Sequence, residues 1–269
     1  MKSNAVWSGP DHVGTAMHDP LDTHLRDFAA IGLGSLDDRA LLDRSDTKYL
    51  LPASSLAALL ADLADDYRIL EINGTRIHRY ETRYFDTPSF DCYRRHHAGR
   101  AVRCKIRVRR YLASADRFIE VKCRDVHGRT RKHRLPLAAE ADPFVGRAGQ
   151  MVQTASGFGL ADLRPALDVG YSRVTLVGIS TPDRVTLDTS LACRATNATA
   201  EFAGLVIAEV KRPRAASSST AVAALRRQRI REARLSKYCV GLAATRHDLP
   251  RNNFLPVLRS LDRVLHDVR

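Results

Sequence analysis

Apolar and polar positions alternate with a period of two along much of this chain. The alternation is strictest from Val102 to Arg109, where Val102, Cys104, Ile106 and Val108 interleave with Arg103, Lys105, Arg107 and Arg109. Successive side chains of a strand point to opposite faces, so this segment reads as a strand with one apolar and one cationic face. Same-face neighbours about 7 Å apart repel by roughly 2.5 kcal/mol per pair at an effective dielectric near 20, and by about a quarter of that in water. Such a face is either fully solvated or built around a polyanion. Related patterns predict strands over 41–51, 76–86, 101–112, 117–126, 129–137, 166–177, 183–189 and 204–212.

Elsewhere the period lengthens to that of a helix. Leu21, Leu25, Phe28 and Ala29 predict one over 21–32, ended by Gly32 and Gly34. Leu56, Leu59, Leu60 and Leu63 predict another over 53–66, behind Pro52. Further helices are expected over 89–97, 140–157, 220–234 and 254–267, the basic one at 220–234 capped by Ser217-Ser218-Ser219-Thr220. Several strands follow one another through short turns, among them Asp125 to Gly128 with His127 in the loop. That order favours an antiparallel α+β architecture over a doubly wound parallel sheet. Residues 1–20, rich in Gly, Pro, Asp and His, read as a disordered lead-in, and 21–269 as a single domain.

Composition changes the picture in two ways. The formal net charge of +13 and pI near 10.0 favour anionic partners, while 6% aromatic residues and no docking motif argue against nucleic acid. The basic helix, with Arg226, Arg227, Arg229, Arg231 and Arg234, reads as a solvated face. Five cysteines, Cys92, Cys104, Cys123, Cys193 and Cys239, form no Cys-x-x-Cys, which argues for a reducing compartment and against a disulfide framework or a zinc site. With no signal-like leader and no apolar run of about 18 residues, a cytoplasmic location is expected, and a membrane-protein partner stays open.

A short pattern repeats. Ile119-Glu120-Val121-Lys122, Ala208-Glu209-Val210-Lys211 and Asp46-Thr47-Lys48 each place a carboxylate and an ammonium on one strand face. Tyr171 with Arg173, and Arg184 with Thr186 and Asp188, continue the theme. One such strand is an ordinary half-exposed strand; six or seven together form a sheet whose cationic face must go somewhere. Closing the sheet into a barrel puts that face inside and leaves the apolar face for helices, and a barrel of about eight strands can hold a small ligand. Such an interior suits a phosphate chain with a divalent metal.

These residues resemble the VTC domain, a polyphosphate polymerase module of the triphosphate tunnel metalloenzyme group related to CYTH domains. The resemblance rests on Thr47-Lys48-Tyr49, Tyr84-Phe85-Asp86-Thr87, Arg107-Val108-Arg109, Glu120-Val121-Lys122, Tyr171-Ser172-Arg173, Glu209-Val210-Lys211 and Ser236-Lys237-Tyr238, in family order. It implies an antiparallel eight-stranded β-barrel, a triphosphate tunnel, with helices packed outside. It implies catalytic phosphate contacts from Lys48, Arg107, Arg109, Lys122, Arg173 and Lys237, with Ser236 beside them. Tyr171 matches a tyrosine near the phosphate path. Lys105, Lys211 and Arg184 lie on the same faces, and Arg131 or Lys132 falls where a further phosphate-binding lysine is expected. Glu209 matches the family's metal-binding glutamate and Glu120 is read as a second ligand, for Mn²⁺ or Mg²⁺. The implied reaction transfers the ATP γ-phosphate to a growing polyphosphate chain. The alternatives are a tripolyphosphate or nucleoside triphosphate hydrolase of the same fold and a non-catalytic polyanion binder. One departure bears on this choice: CYTH-type hydrolases carry Glu-x-Glu-x-Lys on the first strand, and here the spacing reads Arg44-Ser45-Asp46-Thr47-Lys48. Two further features read as structural. His96-His97 lacks a second ligand pair, and Asp86-Thr87-Pro88-Ser89 reads as a turn that caps the next helix.

Overall fold

The described residues form eleven strands: β1 Ala30–Ile31, β2 Arg44–Pro52, β3 Tyr67–Leu70, β4 His78–Asp86, β5 Arg103–Tyr111, β6 Arg117–Arg124, β7 Thr130–Leu137, β8 Arg164–Gly178, β9 Arg184–Ala195, β10 Ala198–Phe202 and β11 Leu205–Pro213, of which β1, β3 and β10 were not among the expected segments. The computed structural model describes residues 20–37, 44–214 and 218–266. The expected lead-in up to residue 19, the start of the 41–51 strand, Ser217 and the final residue of the 254–267 helix lie outside the described residues.

Eight strands form one continuous antiparallel path, β2-β11-β9-β8-β4-β5-β6-β7, with β10 pairing β9 and β3 pairing β8 off the path. This is the expected eight-stranded antiparallel sheet, curled into a half-barrel. β2 and β7 are its edges, and no ladder joins them among the described residues. Register shifts at Tyr84/Phe85 and Gly170/Ser172 bend the central strands, as bulges do. The curl brings Lys122 on β6 within electrostatic reach of Asp46 and Lys48 on β2.

The apolar outer face is covered by helices, as expected. Tyr49, Leu51, Val174, Leu176, Val185, Leu187, Val206, Ala208 and Val210 pack against the helices Leu56–Ala61 and Thr220–Arg227. Ile106, Val108, Ile119 and Val121 pack against the helix Gly146–Ser156.

The concave face is not cationic throughout. At one end Leu50, Leu167, Val169, Leu191, Cys193, Leu205 and Ile207 point inward and bury Tyr238, Val240 and Leu242 of the helix Lys237–Thr245. This helix was not among the expected elements, and it packs inside the curl rather than outside. It lies so close to the sheet that a Cβ on Gly241 would come within 2.6 Å of Leu167 and 2.8 Å of Cys193.

Other expectations need correction. The helix placed at 21–32 spans only Pro20–Leu25, because the chain turns to pair β1 with β3 in parallel. The helix placed at 220–234 ends at Arg227, and Arg229 adopts φ +58°. The residues after it run along the edge of β2, where the Ala233 amide donates to the Lys48 carbonyl at 2.8 Å. Cys104 and Cys123 are cross-strand partners on β5 and β6 and form a disulfide, contrary to the expectation of unpaired buried thiols. Their even-odd positions put both sulfurs on the same outer face of a ladder that spacing alone does not reveal. Cys92, Cys193 and Cys239 are free and buried.

Candidate functional site

Strand parity places the cations of β5 on the concave face: Arg103, Lys105, Arg107 and Arg109 alternate with the covered Cys104, Ile106 and Val108. The ladder then carries the face across its neighbours. Arg107 stands opposite Glu120, Lys105 opposite Lys122, and Lys122 opposite Lys132. Lys132 is therefore the inward residue of β7. Arg131, the other candidate, pairs with Cys123 and points to the outer side. On the far wall Lys48 pairs with Glu209, Lys211 with Asp46, Glu209 with Thr186 and Arg184 with Lys211.

The inward carboxylates are held by cations. Glu209 takes Lys48 on Oε1 at 3.0 Å and Lys211 on Oε2 at 3.2 Å. Asp188 takes the Arg173 guanidinium in a bidentate pair, 2.5 and 2.8 Å, and the Lys237 ammonium. Glu120, 1% exposed, takes Arg107 and Lys132 at 2.6 Å each, with Arg134 at 3.7 Å. Burial alone would push all three carboxyls up. The Lys211, Lys48 and Arg173 charges hold Glu209 well below the carboxylate range, Arg173 and Lys237 do the same to Asp188, and Arg107, Arg109 and Lys132 to Glu120.

Cations remain in excess. Among the described residues Lys105, Lys122 and Arg109 have no carboxylate at ion-pair distance; Arg109 donates to the Thr82 hydroxyl at 3.4 Å and lies 5.6 Å from the Tyr80 ring centroid. Burial lowers the Lys105 pKa, and the Arg107, Lys48 and Arg103 charges add to the effect. Burial also pushes Lys211 down to about 8, against the pull of Glu209.

An aromatic wall flanks the cations. Tyr80 stacks on Tyr171 at 5.2 Å, Arg173 lies 5.3 Å from both ring centroids, and Lys237 lies 4.7 Å from that of Tyr171. The Tyr171 and Thr186 hydroxyls are buried without a hydrogen-bond partner. Unpaired buried hydroxyls beside lysines and arginines are groups that a ligand oxygen would satisfy.

Lys237 and Ser236 come from the N-terminus of the inner helix. The Ser236 hydroxyl is its N-cap, accepting from the Cys239 amide at 3.4 Å. Asp86 anchors the same turn: it accepts from the amides of Thr87, Cys92 and Tyr93 at 2.8, 2.8 and 3.0 Å, and from the Tyr238 hydroxyl. Sequence reasoning had Asp86 as a turn and cap and missed its link to Tyr238, which no local signal carries. His96 is not exposed: its Nδ1 lies 2.8 Å from the Cys92 carbonyl, and burial, with Lys105 and Arg103 nearby, pushes its pKa down to about 3.

A VTC-domain family model matches residues 43–246, more than half of the chain. The chain belongs to the VTC domain family. The segment that matches as a VTC domain starts at the head of β2 and ends with the inner helix, so it includes every strand of the cationic face. Solved structures similar to this VTC domain include a putative adenylyl cyclase from Hippeastrum, described as having a dominant triphosphatase activity. It is 17% identical at a TM-score of 0.49, over 78% of this chain and 99% of that one. A putative adenylate cyclase from Bacillus halodurans is 12% identical at a TM-score of 0.49, over 72% of this chain and 94% of that one. A search of curated proteins finds no match.

The sequence resemblance implies a divalent metal, held by Glu209 and Glu120. Among the described residues no three His, Cys, Asp or Glu side chains group as metal ligands. Both oxygens of Glu209 are engaged by lysines, and Glu120 stands among three cations with no second carboxylate. This donor set does not fit an ion held by protein ligands alone.

Proposed function

We propose that this VTC domain transfers the γ-phosphoryl group of ATP to the end of an inorganic polyphosphate chain. The observation that carries the reading is the excess of cations over carboxylates in the groove, with Lys105, Lys122 and Arg109 at ion-pair distance from no carboxylate among the described residues. The phosphates would lie among Lys48, Arg107, Arg109, Lys122, Lys132, Arg173, Lys211 and Lys237. A terminal polyphosphate oxygen attacks Pγ, the bond from Pγ to the β,γ-bridging oxygen breaks, and ADP leaves. Phosphoryl transfer asks for alignment and charge cancellation more than covalent chemistry from the protein. The cations cancel the repulsion between donor and acceptor, and the charge that gathers on the leaving ADP.

The same carboxylates bear on the hydrolytic alternative. An effective general base has a pKa near the working pH. Glu120, Asp188 and Glu209 are all held far below it, which supports an acceptor that is already ionised over a water that must be deprotonated. No helix of the described residues is long and apolar enough to cross a membrane.

Incubation with ATP and Mn²⁺, followed by gel analysis of the products, tests the reading. Polymer with stoichiometric ADP is expected. Orthophosphate without polymer assigns hydrolysis instead, and an absence of turnover removes both.

A further inference from the structure

We infer that Arg134, stacked on Phe118 beside Tyr111, forms a ledge at one rim of the groove that takes the purine base of a nucleoside triphosphate. The inference rests on the phosphate reading above and names the part of the donor that the cations do not touch.

The ledge is built where β5 ends at Tyr111, β6 begins at Arg117 and β7 closes at Leu137, so it belongs to the rim, beyond Arg109. Phe118 pairs with Arg109 and with Pro136, which puts its ring on the concave face. The Arg134 guanidinium lies 3.6 Å from the Phe118 centroid and 5.6 Å from that of Tyr111. It donates to the Tyr111 hydroxyl at 3.1 Å and stands 3.7 Å from Glu120. Three contacts therefore fix the plane of the guanidinium, while its side chain remains 39% exposed. Phe118 lies against the guanidinium, and enough of the side chain stays exposed to meet a second planar group.

A fixed, partly exposed guanidinium plane is a stacking surface for a nucleobase, and a planar cation on an aromatic ring offers it at little entropic cost. Tyr111 meets Tyr80 edge-on at 4.9 Å, and Tyr80 stacks on Tyr171, so the aromatic wall runs from the ledge to Arg173 and Lys237. A base seated on Arg134 leaves its phosphates beside Arg109 and Arg107. A purine covers more of the guanidinium than a pyrimidine does. Tripolyphosphate, with no base, gains nothing from the ledge.

Binding of ATP and of tripolyphosphate, measured by calorimetry in EDTA to prevent turnover, separates the two contributions. Arg134→Lys keeps the charge and removes the plane; Phe118→Leu keeps an apolar residue and removes the support. Stacking of one base is lost in each, so ATP affinity should fall about tenfold, with tripolyphosphate affinity held within about twofold. Wild-type binding should also produce hypochromism of the adenine band, and Arg134→Lys should abolish it. Equal weakening of both ligands, or of neither, overturns the ledge. If the wild-type protein binds neither ligand, in EDTA or with Mn²⁺ present, the phosphate reading itself is overturned and the ledge falls with it.

Discussion

Burial lowers the ammonium groups of Lys105, Lys122, Lys132 and Lys211 in the groove, and Lys211 is the one brought down to about 8. Its ammonium, pushed down to about 8, loses its proton as the pH rises through that value, so tripolyphosphate should bind several-fold more weakly at pH 9.5 than at pH 7. Lys211→Arg should flatten that decline, since a guanidinium stays charged. Stability moves the other way. The unfolded chain keeps this proton up to about 10.5, so between about 8 and 10.5 it binds more protons than the folded one, and Lys211 adds stability as the pH rises. Lys122 offers a cleaner dissection. Among the described residues it has no ion-pair partner to strand, so Lys122→Ala should melt no lower than the wild type while polymer synthesis collapses. A melting temperature several degrees lower would show that the residue supports the fold. At this scale the inward faces of β5 and β6 were legible, because a period of two sorts them. Arg131 against Lys132 was not: both are basic, and only the pairing of β7 with β6 decides which faces the groove.

Asp86 governs the placement of an element. Its carboxylate ties the amides that begin the helix Asp91–His97 to the Tyr238 hydroxyl, 152 residues away, and so fixes the turn that presents Lys237. Asp86→Ala would leave those buried donors unpaired at about 1–3 kcal/mol each, so a loss of about 3 kcal/mol or more is expected in urea unfolding. The inner helix was invisible in the sequence for a physical reason. Tyr238, Cys239, Val240, Gly241, Leu242, Ala243 and Thr245 are all buried, so the helix has no polar face and no amphipathic period. The β5–β6 disulfide closes a loop with a sequence separation of 19 residues. Loop-closure entropy then predicts up to about 3 kcal/mol of stabilisation, lost on adding a thiol reductant; unfolding midpoints that agree with and without it would contradict the link.

The whole molecule is held against its own charge. A net +13 with lysines and arginines facing one another across a groove is a folded state that a polyanion should stabilise. Tripolyphosphate at about a hundred times its dissociation constant adds about 2.7 kcal/mol, read as a higher melting temperature that falls back as salt is raised. Acid should act through the three carboxylates. Their pKa values are held below those of the unfolded chain, so their contribution is full above about pH 4.5 and is lost as the pH falls below it. Unfolding that sets in below about pH 4 is the expected result.

The amino-acid sequence by itself determined the periodicity of the strands, the apolar and cationic faces they carry, and the family to which their ordered motifs belong. These are local properties, set by which side chains stand two positions apart. Tertiary structure alone decided the rest: that no ladder joins β2 to β7 among the described residues, that Lys132 rather than Arg131 faces the groove, that Cys104 meets Cys123, and that a helix fills one end of the concave face. Each depends on which strands lie side by side and in what register, and that is settled by packing between residues far apart in the chain.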